Sequence, residues 1–326
     1  MDVLPLRPGA TGDAVRDLQV RLTAAGLDPL VEPRGTFGAG TEQAVRTFQS
    51  QRGLPESGIC DRPTWTALVE AGYRLGDRLI YLRRPMMRGD DVAGLQRALG
   101  SLGFDAGRVD GIFGVDTDRA LRDFQHNAGL AADGIGGPQV VRSLTRLGNP
   151  DSRSTNVAGV RERERLRTQP RRLTDRRIVV GEAGGLDVIA TALERLLHDA
   201  GAVVAVLHHP HPSVQAVEAN AFAADLYVGL ALGDDPRCEV AYYATSGWES
   251  AGGRQLATLL VRHLDTIPHL AVDEALGRWL PILRETRMPS VLITLGPAER
   301  VVDETAGLAA AIHRALRDWA QEPVRP

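Results

Sequence analysis

Lysine is missing from this sequence altogether, and all 38 basic residues are arginine. A GC-rich genome is the simplest cause of that bias, and no mechanism attaches to it. Cysteine is almost as scarce. Cys60 and Cys238 stand alone in different halves of the chain, which excludes a disulfide framework and a Cys-x-x-Cys metal pair. No apolar run is long enough to span a bilayer. The opening Met1-Asp2-Val3-Leu4-Pro5 lacks the basic start, apolar stretch and cleavage site of an export signal, so a cytoplasmic location is expected. Excess positive charge is lacking too, since the net charge is −3, and a nucleic-acid partner is therefore not expected. The chain has no G-x-S-x-G, no P-loop and no G-x-G-x-x-G in a strand–helix context, so the common nucleophilic and nucleotide-dependent enzymes find no support. What is present is 326 residues with 43% hydrophobic content, enough for two or three soluble domains.

The first half of the chain repeats itself. Gly12-Asp13-Ala14-Val15, Leu18-Gln19, Leu22 and Gly26-Leu27 return as Gly89-Asp90-Asp91-Val92, Leu95-Gln96, Leu99 and Gly103-Phe104. Phe37-Gly38, Thr41, Ala44-Val45, Phe48-Gln49 and Gly58 return as Phe113-Gly114, Thr117, Ala120-Leu121, Phe124-Gln125 and Gly134. A period of about 76 residues is too long for a solenoid, so a duplicated small domain is the economical reading. Val15, Leu18 and Leu22, like Val92, Leu95 and Leu99, have the spacing of one buried helical stripe. Gly26 and Gly103 stop those helices. Thr41 and Thr117 are read as N-caps of a second helix, and short helices near 63–71 and 138–147 complete each three-helix unit.

These residues resemble the peptidoglycan-binding repeat (type 1), with its G-D-x-V-x-x-L-Q, D-G-x-F-G-x-x-T and closing D-G-x-x-G patterns. The second copy carries both Asp-Gly turns, Asp110-Gly111 and Asp133-Gly134. The first reads Arg34-Gly35 and Ser57-Gly58 at those places. The resemblance implies recognition of a muropeptide fragment, with Asp110, Phe113 and Asp133 as candidate ligand contacts. The alternative is that Asp110 and Asp133 only build tight turns. The repeats are placed at residues 6–72 and 87–148. An arginine-rich stretch at 149–176, read as a solvated spacer or a short exposed helix, leads to an α/β domain at 177–320.

In that last part strand and helix signals alternate, which implies a sheet covered by helices on both faces. Ala219-Asn220 with Ala224-Asp225-Leu226, and Arg287-Met288-Pro289-Ser290-Val291-Leu292-Ile293 with Leu295-Gly296, resemble landmarks of the zinc-dependent N-acetylmuramoyl-L-alanine amidases (type 3). That family uses a His–Glu–His zinc site and a separate catalytic glutamate. Here Gly184 stands at the first histidine, Ala231 at the second and Thr294 at the catalytic glutamate. The segment of the glutamate ligand is shortened between Gly185 and Asp187, which leaves Glu182 as the nearby carboxylate. With those positions vacated, no catalytic residue, metal or cofactor is expected. His208, His209 and His211 form a compact cluster that Pro210 and Pro212 hold in an extended loop, read as solvated.

Taken whole, two such repeats before a ligand-poor amidase domain resemble the CwlM-type proteins of actinobacteria. That resemblance implies a multidomain, cytoplasmic, non-catalytic regulator of peptidoglycan precursor synthesis. Its partners would be the enolpyruvyl transferase of the first committed step (a MurA-like enzyme) and the lipid II flippase. It further implies control by a Ser/Thr kinase, but the C-terminal tail with the phospho-acceptor threonine has no counterpart before Pro326. An active amidase with a divergent site and a plain muropeptide-binding protein are the alternatives.

Overall fold

The computed structural model describes residues 4–29, 32–147, 157–245 and 248–322. Two compact units result, Met1–Val160 and Arg161–Pro326. The expected start of the chain at residues 1–3 and the 149–156 part of the expected linker lie outside the described residues. Among the described residues no helix is long and apolar enough to cross a membrane.

The first unit is all helical and built twice. Helices α1 (Asp13–Ala24), α2 (Ala39–Arg52) and α3 (Arg62–Ala71) form the first repeat; α4 (Asp90–Ser101), α5 (Val115–Asn127) and α6 (Pro138–Leu147) form the second. The expected stripes are buried: Val15, Leu18 and Leu22 in one copy, Val92, Leu95 and Leu99 in the other. Thr41 and Thr117 are not N-caps. The caps are Gly38 and Gly114, and each threonine sits within the first turn, fully buried. Their hydroxyls instead accept from the buried amides of Gln19 (3.1 Å) and Gln96 (3.2 Å).

The second repeat begins before residue 87. Ile80 is fully buried in its core and exchanges backbone hydrogen bonds with Gly136, as Leu6 does with Cys60 in the first repeat. A strand-like pair formed across so long a sequence gap leaves no local periodicity, so the sequence alone sets the boundary too late, at 87.

The second unit takes in much of the stretch read as linker. Helix α7 (Val157–Thr168) brings Glu162 to the start of a later helix, where Oε1 accepts from Ser250 Oγ at 2.6 Å. Leu173 and Arg176 are buried, the latter with its guanidinium over the Trp319 ring. The run is a short exposed helix followed by a turn: Arg163, Arg165, Arg167, Arg171 and Arg172 stay exposed, while Glu162, Leu173 and Arg176 tie it to the second unit.

From there the chain runs β1 (Arg177–Glu182), α8 (Asp187–Asp199), β2 (Val203–His208), α9 (Pro212–Ala221), β3 (Leu226–Leu232), β4 (Arg237–Thr245), β5 (Trp248–Glu249) and α10 (Ala251–Leu264). It continues through β6 (Ala271–Val272), β7 (Leu276–Arg278), α11 (Pro281–Glu285), β8 (Ser290–Leu295), α12 (Ala298–Asp303) and α13 (Thr305–Gln321). The sheet order is β2-β1-β3-β8-β4-β5. Strands β2, β1, β3 and β8 are parallel and β4 runs antiparallel to β8, so the sheet is mixed. One face packs Val180, Val228, Leu230, Val291 and Ile293 against α8, α10 and α13; α9 and α11 lie on the other side.

Candidate functional site

Open α/β sheets bind ligands beyond the carboxyl ends of their parallel strands. Here that edge carries Glu182 on β1, His208 on β2, Ala231 on β3 and Thr294 on β8. Side chains alternate along a strand, and register partners share a face. Glu182 is in register with His208 and Leu230, placing it on the α8 side of the sheet. Ala231 and Thr294 are register partners on the opposite side.

The Glu182 side chain is only 6% exposed, and both of its oxygens are engaged. Oε2 accepts from the backbone N–H of Gly184 (2.8 Å) and of Leu186 (3.2 Å), closing the turn into α8. Oε1 meets His208 Nδ1 at 2.8 Å. Burial would raise this carboxyl, but the bonds from His208, Leu186 and Gly184 outweigh it and hold it below its ordinary value. A depressed carboxyl stabilises the fold above its unfolded-state value, and that contribution is lost as pH falls through the folded-state value. Glu182→Gln removes the charge and is expected to cost about 1–2 kcal/mol near neutrality. The loss should shrink on acidification, and urea titrations at several pH values check it; a pH-independent loss would contradict this account.

Gly184 has φ +129, a region that L side chains rarely adopt, although no heavy atom would meet a Cβ there. Gly181 is constrained differently. A Cβ would lie 2.1 Å from Gln215 Oε1 and from the Tyr227 hydroxyl, which donates to that oxygen at 2.6 Å. Gln215 Nε2 donates to the carbonyls of Glu182 (3.0 Å) and His209 (2.5 Å). The floor beneath the β1 turn is thus filled by a satisfied polar network, with burial pushing the Tyr227 phenol up.

Across β8, Glu239 is the register partner of Thr294 and belongs to the same face. It is held by Arg278, Nη2 to Oε2 at 3.0 Å. Sequence reasoning missed both Gln215 and Glu239. The polar residue between Cys238 and Val240 was the available strand-alternation signal for Glu239; Gln215 gave none.

The histidine cluster does not converge. His208 is taken by Glu182, and His209 faces His211 with ring centroids 5.4 Å apart. A catalytic zinc requires three protein ligands and an open position. Among the described residues no group of three His, Cys, Asp or Glu side chains could hold a metal ion. Glu182 and Glu239 lie three strands apart, roughly 14 Å at the usual strand spacing. Catalytic zinc does not fit this donor set.

In the repeats, the residues expected as ligand contacts serve the turns. Asp110 Oδ1 accepts from Gln96 Nε2 and the Ile112 N–H, both at 2.8 Å. Asp133 Oδ1 accepts from Gln125 Nε2 (2.7 Å) and the Ile135 N–H (2.9 Å), which hold its carboxyl below the usual range. Phe113 is fully buried in the core. Ser57 takes the Asp133 role in the first copy, with Gln49 Nε2 donating to it at 3.2 Å. Where that copy lacks its first Asp-Gly, Glu32 accepts instead from the N–H groups of Gly38 and Thr41 at the start of α2.

Residues 11–68 and 88–144 match the family described as "Putative peptidoglycan binding domain". Over 337 aligned residues the chain is 35% identical to N-acetylmuramoyl-L-alanine amidase CwlM of Mycobacterium tuberculosis (strain ATCC 25618 / H37Rv), covering 89% of this chain and 81% of that relative. It is also 34% identical over 163 residues to N-acetylmuramoyl-L-alanine amidase CwlL of Bacillus licheniformis, covering 44% of this chain and 45% of the other. Among solved structures it is similar to the amidase AmiC2 of Nostoc punctiforme, at 17% identity and a TM-score of 0.39, over 46% of this chain and 99% of that one.

Proposed function

The chain belongs to the CwlM family of amidase-related proteins, and from that membership we propose a cytoplasmic, non-catalytic regulator of peptidoglycan precursor synthesis that acts by binding. The observation that carries this reading is the chemistry of the strand ends. Gly184, Ala231 and Thr294 stand where the amidase pattern needs two imidazoles and a carboxylate, and Glu182 is consumed by its own turn and by His208. A glycine, a methyl group and a hydroxyl cannot lower the pKa of a metal-bound water or act as its base. The helical repeats supply a scaffold for holding a muropeptide fragment, and the enolpyruvyl transferase of the first committed step is the proposed protein partner, with the lipid II flippase as a second.

One observation favours the competing reading of an active amidase with a divergent site. The His208 Nδ1–Glu182 Oε1 contact is the kind of carboxylate–imidazole pair that orients a zinc ligand. Metal analysis of the purified chain and digestion of soluble muropeptides decide between them. The expected result is zinc well below one equivalent and no released stem peptide; stoichiometric zinc with stem-peptide release would overturn the regulatory reading. Adding the chain to the purified enolpyruvyl transferase should raise its turnover, and an unchanged rate would remove that partner.

A further inference from the structure

A cleft opens inside the helical unit, between the two repeats. Its volume is about 570 Å³, within the range that holds a drug-sized ligand. The end of α1 and α2 form one wall, α4 forms the other, and Tyr73 and Arg74 lie between them. Arg52 at the end of α2 clamps Asp90 at the start of α4, with Nη1 to Oδ1 and Nη2 to Oδ2 both at 2.8 Å. That fork ties repeat to repeat and neutralises both groups.

The charged residues of the lining are Arg52, Arg74, Arg97 and Asp90, so the clamp leaves Arg74 and Arg97 over. Both are exposed, and among the described residues neither guanidinium has an ion pair or hydrogen bond. Asp77 lies close in sequence, but its carboxylate accepts from the backbone N–H of Arg74 (2.8 Å). Gly94 in the interior of α4 keeps that wall low. A Cβ there would make only an ordinary 3.6 Å contact with Leu75, so packing does not demand glycine, and a helix interior disfavours it by about 0.5–1 kcal/mol relative to alanine.

We propose that this inter-repeat cleft binds an anionic peptidoglycan fragment through Arg74 and Arg97. The inference rests on the muropeptide-binding part of the proposed function and relocates the contact. Asp110, Asp133 and Phe113 are occupied by the fold, whereas the two arginines have donors to offer. Planar guanidinium groups match carboxylates and phosphates in the same forked geometry. The ligand is therefore anionic, its charge coming from the stem-peptide carboxylates or from the diphosphate of an activated precursor.

Calorimetric titration of the full chain tests the site with three probes: a muramyl tripeptide without phosphate, a uridine-diphosphate-linked muramyl pentapeptide, and inorganic pyrophosphate. Arg74→Ala combined with Arg97→Ala is expected to weaken binding roughly tenfold or more, and parent binding should weaken as salt rises. Both side chains are exposed, so the thermal midpoint should stay put and separate lost contacts from lost fold. Tripeptide binding equal to that of the diphosphate-linked probe assigns the carboxylates as the anion; binding of pyrophosphate and the linked probe alone assigns the phosphates. A double variant that binds like the parent overturns the cleft and leaves muropeptide binding standing. A parent that binds none of the probes overturns both.

Discussion

Arg78→Ala is expected to destabilise the helical unit by about 3–5 kcal/mol, the usual cost of stripping one partner from a buried ion pair. Asp91 is fully buried in the first turn of α4. Arg78 Nε reaches its Oδ2 at 2.7 Å and Nη2 its Oδ1 at 3.1 Å, while Nη2 also donates to the Arg88 carbonyl at 2.7 Å. The guanidinium lies 3.6 Å from the centre of the Tyr73 ring, and its bond to Asp91 pushes its pKa up. Removing the arginine leaves the buried Asp91 carboxylate without its cation, with the Val92 N–H (2.9 Å) as its remaining partner among these contacts. The first repeat shows that the fold does not need the pair, since Ala14 stands where Asp91 does. The double variant Arg78→Ala/Asp91→Ala should therefore recover most of the loss, which a double-mutant cycle by chemical denaturation measures. A single-variant loss under about 1 kcal/mol, or a double variant no better than the single, would show that the pair is dispensable.

That pair marks the limit of what the sequence made legible. Helices α1 and α4 follow from three apolar positions at helical spacing and a terminating glycine, so local periodicity was enough to find them. Arg78 lies before the expected start of the second repeat, and its partner becomes visible only once Ile80 is pinned to Gly136. The same reason hid the short strands β5, β6 and β7, which exist because β4 offers them an edge rather than through their own patterning. Gln19, Gln49, Gln96 and Gln125 were visible as repeated letters without a role. Each proves to accept from a turn-glycine N–H through its Oε1, at Gly35, Gly58, Gly111 and Gly134. At the sheet edge, the residue types of Gly184, Ala231 and Thr294 could be read directly. The two-sided placement of Glu182 and Thr294 required the strand register.

Putting the amidase side chains back is expected to yield a weaker protein and no enzyme. In the triple variant Gly184→His, Ala231→His and Thr294→Glu, the first change forces an L residue to φ +129, a strain of about 1–3 kcal/mol. The other two fall on directly paired positions of β3 and β8, so the new imidazole and carboxylate face each other across adjacent strands. The introduced carboxylate would also neighbour Glu239, whose present partner is Arg278. A third ligand is missing, because Glu182 belongs to the other face and serves the turn before α8. That helix begins at Asp187, leaving no length of chain to present another carboxylate. Two imidazoles without a third ligand and without orienting partners hold zinc weakly. We expect a stability loss of about 2–4 kcal/mol, weak zinc binding by competition titration, and no stem-peptide release from soluble muropeptides. Measurable cleavage of the muramoyl–alanine bond by this variant would mean that the sheet still presents an intact catalytic frame. The loss of activity in the parent would then rest on the three substituted side chains alone and not on a lost third ligand.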